Sequence, residues 1–353
     1  MNRPEFTPQT DSEGRAAPAS DAAPAAPVEL TCWVVTDGKA GMEIQCRGLA
    51  EALGLEAEVK RVSVGKPWRW LPAALITDPL STLGPKGDRL APPWPDLWIA
   101  SGRQTVPLTR DIRHLSGGRT FTVQIQNPAI DPAAIDLIVT PEHDRLRGAN
   151  VLTTRGALGR VTPERLAEAA AHFAPRYAHL PERRLAVLIG GDNKVFRLDV
   201  ATMTQLTGRL AALARAGWGL MVTTSRRTGA RNEEVLHRGL AGLPAEIWDG
   251  QGENPYFGML ALADHVVVTG DSVNMVSEAA STGKPVHVVH LRGRSPKFTR
   301  FHEALVSAGI TRPFTGTLEN WDYTPLAETR RAAAEIRRRL LARRTAGHEG
   351  LGG

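Results

Sequence analysis

The amino-acid sequence predicts an α/β protein with two domains, each built around a parallel sheet. Three observations support this fold class. The chain has 353 residues, more than one typical core accommodates. Short β-branched runs alternate with amphipathic helical segments, which is the pattern of βα units. This alternation restarts after a polar stretch at residues 175–184, which indicates a second domain.

The composition is that of a globular protein with a basic surface. Apolar residues make up 42% of the chain, charged residues 23%, and the formal net charge is +6. This charge favours anionic partners such as nucleotides or an acidic membrane surface, while the lack of any recognised nucleic-acid motif argues against nucleic acid. Two cysteines, Cys32 and Cys46, are too few for a disulfide framework and fit a reducing compartment. We therefore expect a cytoplasmic protein, which could also bind peripherally to the inner membrane.

The predicted domain boundaries follow the same alternation. Residues 1–28 are rich in Ala and Pro and are expected to be a disordered tail. The first domain is assigned to residues 29–178, the second to residues 179–325, and a final Ala- and Arg-rich helix to residues 326–345.

In the first domain, each predicted strand ends in a polar turn. Strands are predicted at residues 30–36, 57–64, 97–100, 120–125, 135–140 and 150–154, with helices at 42–53, 106–114 and 162–173. The carboxyl ends of parallel strands meet at one edge of a sheet, so the polar residues after them are expected to gather there. Asp37 and His143 are the candidates for a general base at this edge.

The second domain repeats this pattern and adds groups that suit a diphosphate. Gly190 and Gly191 allow close backbone approach, two arginines offer forked donors, and a helix N-terminus offers free amides. Glu278 could accept a hydrogen bond from a ribose. The donor-binding candidates are Gly190, Gly191, Arg226, Arg227, Ser272, Val273, Asn274, Met275 and Glu278. The alternative is an ordinary βαβ unit with a solvated glutamate.

Residues 66–96 form an unusually long Trp- and Pro-rich segment between two predicted strands. Tryptophan beside arginine and lysine suits an interface, such as a membrane surface or a lipid-linked acceptor. The alternative is an excursion that packs on its own domain.

Several motifs together resemble a known family. They are TDGKAGMEIQCRGLAEALG, SGRQTVPLTR, QIQNP, TPEHD, IGGDN, TTSRRT and TGDSVNMVSEAASTGKPV, between Leu30 and Trp321. The chain resembles a bacterial member of the mitochondrial-fission "elongated mitochondria" family, named for a plant protein. That family resembles glycosyltransferases of the two-Rossmann type (GT-B), such as the transferase that builds the lipid-linked peptidoglycan precursor. The resemblance implies two Rossmann-like domains facing across a cleft, with the final helix crossing back to the first.

The resemblance also implies roles for residues. Gly190 and Gly191 match the glycine turn of the donor domain, Ser272 to Met275 the diphosphate loop, and Glu278 the ribose-binding glutamate. Asn254 lies near the position where such enzymes read the base. The first domain would hold the acceptor, and its candidates are Lys39, Gly41, Ser101, Arg103 and Gln104. Asp271 departs from the family pattern, because a carboxylate there repels a diphosphate unless it is turned away or binds Mg²⁺.

The function expected from these features is a glycosyltransferase that uses a nucleoside-diphosphate sugar and requires no metal or other cofactor. One alternative is a non-catalytic adaptor that docks on a membrane or a partner through the Trp/Pro segment and the Arg-rich helix. A second alternative is a nucleoside-diphosphate-sugar epimerase, a label that some bacterial members carry.

Overall fold

The computed structural model describes residues 30–349, which form two six-stranded parallel sheets flanked by helices. The tail predicted at residues 1–28 lies outside the described residues. Within residues 30–349, every helix is too short or too polar to cross a membrane.

The first sheet has the strand order β2-β1-β3-β4-β5-β6. Its strands are β1 (Cys32–Thr36), β2 (Ala57–Arg61), β3 (Leu97–Ser101), β4 (Phe121–Ile125), β5 (Leu137–Pro141) and β6 (Val151–Thr154). Helix α1 (Ala40–Ala52) covers one face and helix α2 (Val106–Leu115) the other. Strands β1, β3 and β4 are buried along their whole length, as continuous apolar runs in parallel sheets usually are.

The second sheet has the order β12-β11-β10-β7-β8-β9. Its strands are β7 (Arg184–Ile189), β8 (Gly219–Thr224), β9 (Ala245–Trp248), β10 (His265–Thr269), β11 (Val286–Val289) and β12 (Thr311–Pro313). Its helices are α4 (Val200–Arg215), α5 (Ala230–Leu240), α6 (Tyr256–Leu262), α7 (Val273–Ala280) and α8 (Pro296–Ser307). The short strand β12 was not predicted.

In both sheets the strand order reverses at one point, between β1 and β3 in the first and between β7 and β10 in the second. Open α/β sheets bind ligands in the crevice at such a point, outside the carboxyl ends of the strands. The two crevices lie on facing edges, since helix α1, which follows β1, forms hydrogen bonds with the start of α7, as described below. The structure therefore confirms the α/β class with two Rossmann-like domains that face each other across a cleft.

Helix α3 (Pro163–Phe173) lies in the segment assigned to the first domain, yet it packs on the second. Phe173 and the following Tyr177 and Leu180 belong to the core that includes β10 and α6. A Cβ at Gly258 of α6 would lie 2.6 Å from Phe173, so the two helices are in close contact. The chain therefore enters the second core between β6 and α3, ahead of the predicted boundary at residue 178.

Helix α9 (Glu328–Glu349) makes the reverse crossing and confirms the predicted return to the first domain. Ala332, Ala333 and Ile336 are buried against α1 and the first sheet. Two arginines of α9 form hydrogen bonds with the first domain. Arg337 Nη2 donates to the Ala52 carbonyl oxygen at 2.7 Å, and Arg339 Nη2 donates to the Ala149 carbonyl oxygen at 2.7 Å. These arginines bind helix- and loop-terminal carbonyls of the first domain, so they are not simply a solvated charged face.

The Trp/Pro segment divides into a packed part and an exposed part. Strand β2 ends at Arg61, earlier than predicted, because Val64 pairs with Leu83 in an antiparallel bridge. Trp94 packs edge-on against Trp33, with ring centroids 6.0 Å apart. Trp68 and Trp70, by contrast, are exposed on a short 3₁₀ turn.

Candidate functional site

The crevice of the second sheet is organised around Asp271, whose side chain is fully buried. The Thr269 hydroxyl donates to Asp271 Oδ1 at 2.7 Å, and the Gly191 amide donates to Oδ2 at 3.1 Å. Arg227 Nη1 lies 2.8 Å from the same Oδ2. The carboxylate is therefore turned into the protein and neutralised, which removes the repulsion that Asp271 would exert on a diphosphate.

The glycine pair at the end of β7 makes room for this network. A Cβ at Gly190 would lie 2.2 Å from Asp271 Oδ1, and a Cβ at Gly191 would lie 2.1 Å from the Arg227 carbonyl oxygen. Both backbone amides already donate hydrogen bonds within the protein: that of Gly190 to Thr269 Oγ1 at 2.7 Å, and that of Gly191 to Asp271 Oδ2. In this structure the two glycines serve close packing, and their predicted phosphate contact stays a prediction.

The two arginines after β8 differ in their surroundings. Arg227 is paired with Asp271, as described above. Arg226 is exposed beside it and adds a cation at the same edge of the sheet. Arg226 is thus the arginine of the pair that is placed to meet an anion from solvent.

The start of α7 contacts the first domain directly. Ser272 caps the helix by accepting a hydrogen bond from the Met275 amide at 3.3 Å. Asn274 spans the cleft: its Nδ2 donates to the Gly41 carbonyl oxygen at 3.1 Å, and its Oδ1 accepts from Gln45 Nε2 at 3.0 Å. The amides of residues 273 and 274 open the helix and take no part in its own hydrogen bonds. Within the predicted diphosphate loop, Asn274 therefore contacts the start of α1, whereas Val273 and Met275 pack against the core of the second domain.

Glu278 lies deeper in α7 and is buried at the contact between the domains. Tyr256 Oη donates to Glu278 Oε2 at 2.7 Å. A Cβ at Gly159 would lie 3.2 Å from Glu278 Cγ, so the segment between β6 and α3 covers the glutamate. Burial raises the pKa of Glu278 to about 7, although the Tyr256 hydroxyl and the Arg160 charge oppose this rise. The carboxylate is covered in this structure, and its predicted contact with a ribose stays a prediction.

The crevice of the first sheet holds two unsatisfied polar atoms. Asp37 follows β1, and Ser101 ends the neighbouring β3. Asp37 Oδ1 and Ser101 Oγ are buried and have no hydrogen-bond partner among residues 30–349. Asp37 Oδ2 forms an ion pair with Lys39, whose side chain is exposed. Gly102 has a φ of +107°, and its lack of a side chain leaves room for Met42 and Asp37.

His143 lies elsewhere along the same edge. It follows β5, and β3 and β4 separate that strand from β1, which places it roughly 14 Å from Asp37 at the usual strand spacing. Burial lowers the pKa of His143 to about 4, helped by the Lys297 charge. Its ring lies edge-on to Phe301, and Arg300 donates to its carbonyl oxygen at 3.1 Å. The structure therefore does not bring the two candidate bases together, and His143 is a contact between domains.

Three further candidates support local structure. Arg103 Nη2 donates to the carbonyl oxygens of Trp70 and Leu71, at 3.0 Å each. Gln104 Oε1 accepts from the Val64 amide at 3.1 Å. Asn254 Oδ1 accepts from the Tyr256 amide at 3.0 Å, just before α6, and so helps to position the tyrosine that binds Glu278. Their predicted contacts with acceptor and base stay predictions.

The sequence reasoning missed the groups that close the cleft. They are Gln45 of α1, Ser277 of α7, whose Oγ accepts from the Ala157 amide at 2.9 Å, and the segment that holds Gly156 and Gly159. The sequence RGALGR after a strand was a usable signal, because two glycines so close together often mark an approach of backbone to another element. Among the described residues, no group of three or more His, Cys, Asp or Glu side chains is placed to hold a metal ion.

Asn274→Ala is expected to favour an open arrangement of the domains, because it removes both hydrogen bonds to the first half of α1. Two such bonds stabilise the closed cleft by about 1–3 kcal/mol. Small-angle X-ray scattering should show a larger radius of gyration than in the parent protein. Asn127→Ala is the control, since Asn127 bonds to Ala129 within its own loop. Identical scattering from all three proteins would contradict the proposed bridge.

Comparison with known proteins places the chain in a family. The family model described as "Mitochondrial fission ELM1" matches residues 40–340. Mitochondrial fission protein ELM1 of Arabidopsis thaliana is 35% identical over 276 residues, which cover 70% of this chain and 65% of the plant protein. The chain thus spans less than two thirds of that relative. An uncharacterized protein of Rickettsia prowazekii is 30% identical over 286 residues, covering 69% of this chain and 79% of the relative.

The fold also has counterparts among solved structures. The UDP-GlcNAc 2-epimerase of Methanocaldococcus jannaschii superposes with a TM-score of 0.51 at 11% identity, covering 89% of this chain and all of that one. At this identity the likeness shows the shared two-domain fold alone. The family assignment depends on the sequence match, which spans both domains. The chain belongs to the mitochondrial fission ELM1 family.

Proposed function

We propose that the protein binds a nucleoside-diphosphate sugar in the cleft and transfers the sugar to an acceptor hydroxyl. The observation that carries this proposal is the meeting of the two crevices. Asn274, at the start of α7, bonds to Gly41 and Gln45 next to the turn that holds Asp37. A ligand bound at one crevice would therefore lie within reach of groups at the other.

The second domain supplies the donor side. The free amides of residues 273 and 274 and the exposed Arg226 suit a diphosphate. Arg227 compensates the negative charge of Asp271, so the charge of Arg226 remains and is positive. Glu278 would accept hydrogen bonds from the ribose after the segment at Gly159 moves away. Donor binding is thus coupled to opening of the domains.

The first domain supplies the acceptor side. Asp37 Oδ1 has no hydrogen-bond partner among the described residues, so it is available to accept the proton of an acceptor hydroxyl. The acceptor oxygen forms the new bond to the anomeric carbon, the bond from that carbon to the diphosphate oxygen breaks, and the nucleoside diphosphate leaves. Arg226 and the α7 amides stabilise the charge of the leaving group. Lys39 and Ser101 would orient the acceptor.

Calorimetric titration of the full-length protein with UDP, GDP, CMP and their sugars tests the donor site. One nucleotide should bind more tightly than about millimolar, or about −4 kcal/mol. Arg226→Ala should weaken that binding about 10- to 100-fold, the loss of a charge-assisted hydrogen bond. Arg238→Ala is the matched control, because Arg238 is an exposed arginine of the same domain, paired with Glu234 on α5.

The outcomes separate the rival functions. If no nucleotide binds more tightly than about millimolar, the donor site does not exist and the adaptor alternative remains. Interconversion of a free nucleotide-sugar without an acceptor would instead indicate an epimerase. Equal loss of affinity in Arg226→Ala and Arg238→Ala would remove Arg226 from the site.

A further inference from the structure

The exposed part of the Trp/Pro segment, residues 66–75, presents a cluster of large apolar side chains. Trp70 is 62% exposed, Leu75 64% and Trp68 40%. Within the described part of the chain, four other large apolar side chains are comparably exposed, and each lies on a different helix: Leu115, Val200, Val306 and Leu341. Exposed apolar clusters of this kind mark interaction sites, whereas scattered single residues need no explanation.

The cluster is held in a fixed position by two arginines of the underlying domain. Arg103 donates to the carbonyl oxygens of Trp70 and Leu71. Arg110 of α2 donates to the carbonyl oxygens of Ala73 and Ile76. Because the backbone is already ordered, docking through these side chains loses little conformational entropy.

The surroundings of the cluster are basic. Lys66, Arg69 and Arg103 are exposed, and the first acidic residue after Lys66 in the sequence is Asp78, three positions beyond Leu75. Lys66 Nζ lies 5.5 Å from the centre of the Trp70 ring. Tryptophan prefers the headgroup level of a bilayer, and nearby cations are attracted by anionic lipids. The combination of exposed indoles with three exposed cations is complementary to an anionic membrane surface.

The cluster also has a defined place relative to the cleft. Arg103, which holds it, is two residues beyond Ser101 at the end of β3. The Val64 amide, just before the cluster, bonds to Gln104 of the same turn. The cluster therefore projects from the carboxyl edge of the first sheet, on the side of the molecule where the first crevice lies.

We propose that residues 66–75 dock the first domain on an anionic membrane surface, with the indoles of Trp68 and Trp70 at the lipid headgroups. Docking there brings the carboxyl edge of the first sheet close to the bilayer. This proposal does not depend on nucleotide-sugar binding, because the cluster lies outside the second domain.

Sedimentation of the full-length protein with vesicles tests the proposal. The protein should bind vesicles of phosphatidylcholine mixed with phosphatidylserine, and binding to phosphatidylcholine alone should be weaker. The double variant Trp70→Ala/Leu75→Ala should bind about tenfold less or weaker still, because two large apolar side chains are lost from the contact. The control is Val306→Ala/Leu341→Ala, in which side chains that are 47% and 63% exposed are removed elsewhere, and its binding should be unchanged.

A separate pair of substitutions tests the contribution of the basic residues to membrane binding. Lys66→Glu/Arg69→Glu should abolish the preference for phosphatidylserine, and added salt should have the same effect on the parent protein. All variants alter exposed side chains and are therefore expected to fold. A thermal unfolding curve that matches that of the parent protein will check this.

Three results would overturn the proposal. One is failure of the parent protein to bind either kind of vesicle. Another is undiminished binding by Trp70→Ala/Leu75→Ala. The third is a dimer, detected by sedimentation velocity without lipid, that disappears in this variant, since the cluster would then be covered by a second copy of the chain.

Discussion

Asp271→Ala is expected to lower the free energy of unfolding by about 2–4 kcal/mol. The substitution leaves the buried Gly191 amide and the Thr269 hydroxyl without the acceptor they share. It also leaves Arg227 without its counter-charge. The Arg227 side chain is 38% exposed and can turn toward solvent, which keeps the loss below that of a fully buried unpaired charge. Urea denaturation at neutral pH, followed by circular dichroism, measures the change.

Asp249→Ala provides the matched control, because Asp249 follows strand β9 of the same sheet but is exposed. Its carboxylate accepts one hydrogen bond, from the Gln251 amide at 2.9 Å, so the expected loss is below about 1 kcal/mol. Asp271→Asn should fall between the two, since it keeps the side-chain volume and removes the charge. Equal losses for Asp271→Ala and Asp249→Ala would show that the buried network does not stabilise the second crevice.

Glu278→Gln is expected to remove a decrease in stability that the parent protein shows between about pH 4.5 and pH 7. Burial raises the pKa of Glu278 to about 7 from a usual 4.5, so the folded protein holds a proton that the unfolded chain has released in this range. Stability therefore falls as the pH rises from 4.5 to 7, by up to about 3 kcal/mol, and is constant above this window as far as Glu278 is concerned. If opening of the domains also hydrates Glu278, the same rise in pH favours the open state.

Denaturation profiles of both proteins from pH 4 to pH 8 test this expectation. The difference between the two profiles isolates Glu278, because burial lowers the pKa of His143 and of His287 to about 4 and gives both proteins a trend of the opposite sign. Two groups face Glu278, namely Tyr256 and Arg160, and both are unchanged in the variant. Glu234→Gln, on an exposed glutamate of α5, is the control and should match the parent. Parallel profiles for the parent and Glu278→Gln would contradict the raised pKa.

The candidate site could be predicted in outline because its groups follow strands. Gly190, Arg227 and Asp271 each come after a β-branched run, and parallel strands bring such positions to one edge. The family resemblance also implied that Asp271 would repel a diphosphate unless it turned away or bound Mg²⁺. The choice between these depended on Arg227 and Gly191, which are brought to Asp271 by the order of the strands and not by any local pattern.

The separation of Asp37 and His143 shows the opposite case. Both follow strands of the same sheet, so the sequence could not distinguish neighbours from residues that lie three strand positions apart. Strand order depends on how whole βα units pack, and this information is spread over the domain. Arg103 and Gln104 illustrate the same difficulty, because only the course of the chain after β2 shows that they hold the Trp/Pro segment.

By itself, the sequence determined the α/β class, the presence of two domains and the positions of most strands and helices. These depend on apolar periodicity and on Gly, Pro and capping residues, which act over a few neighbouring positions. Only the tertiary structure decided that α3 joins the second core, that the arginines of α9 bind carbonyls of the first domain, and that Asn274 bridges the cleft. Each of these contacts joins residues far apart in the chain, so it exists only after both sheets have formed and packed.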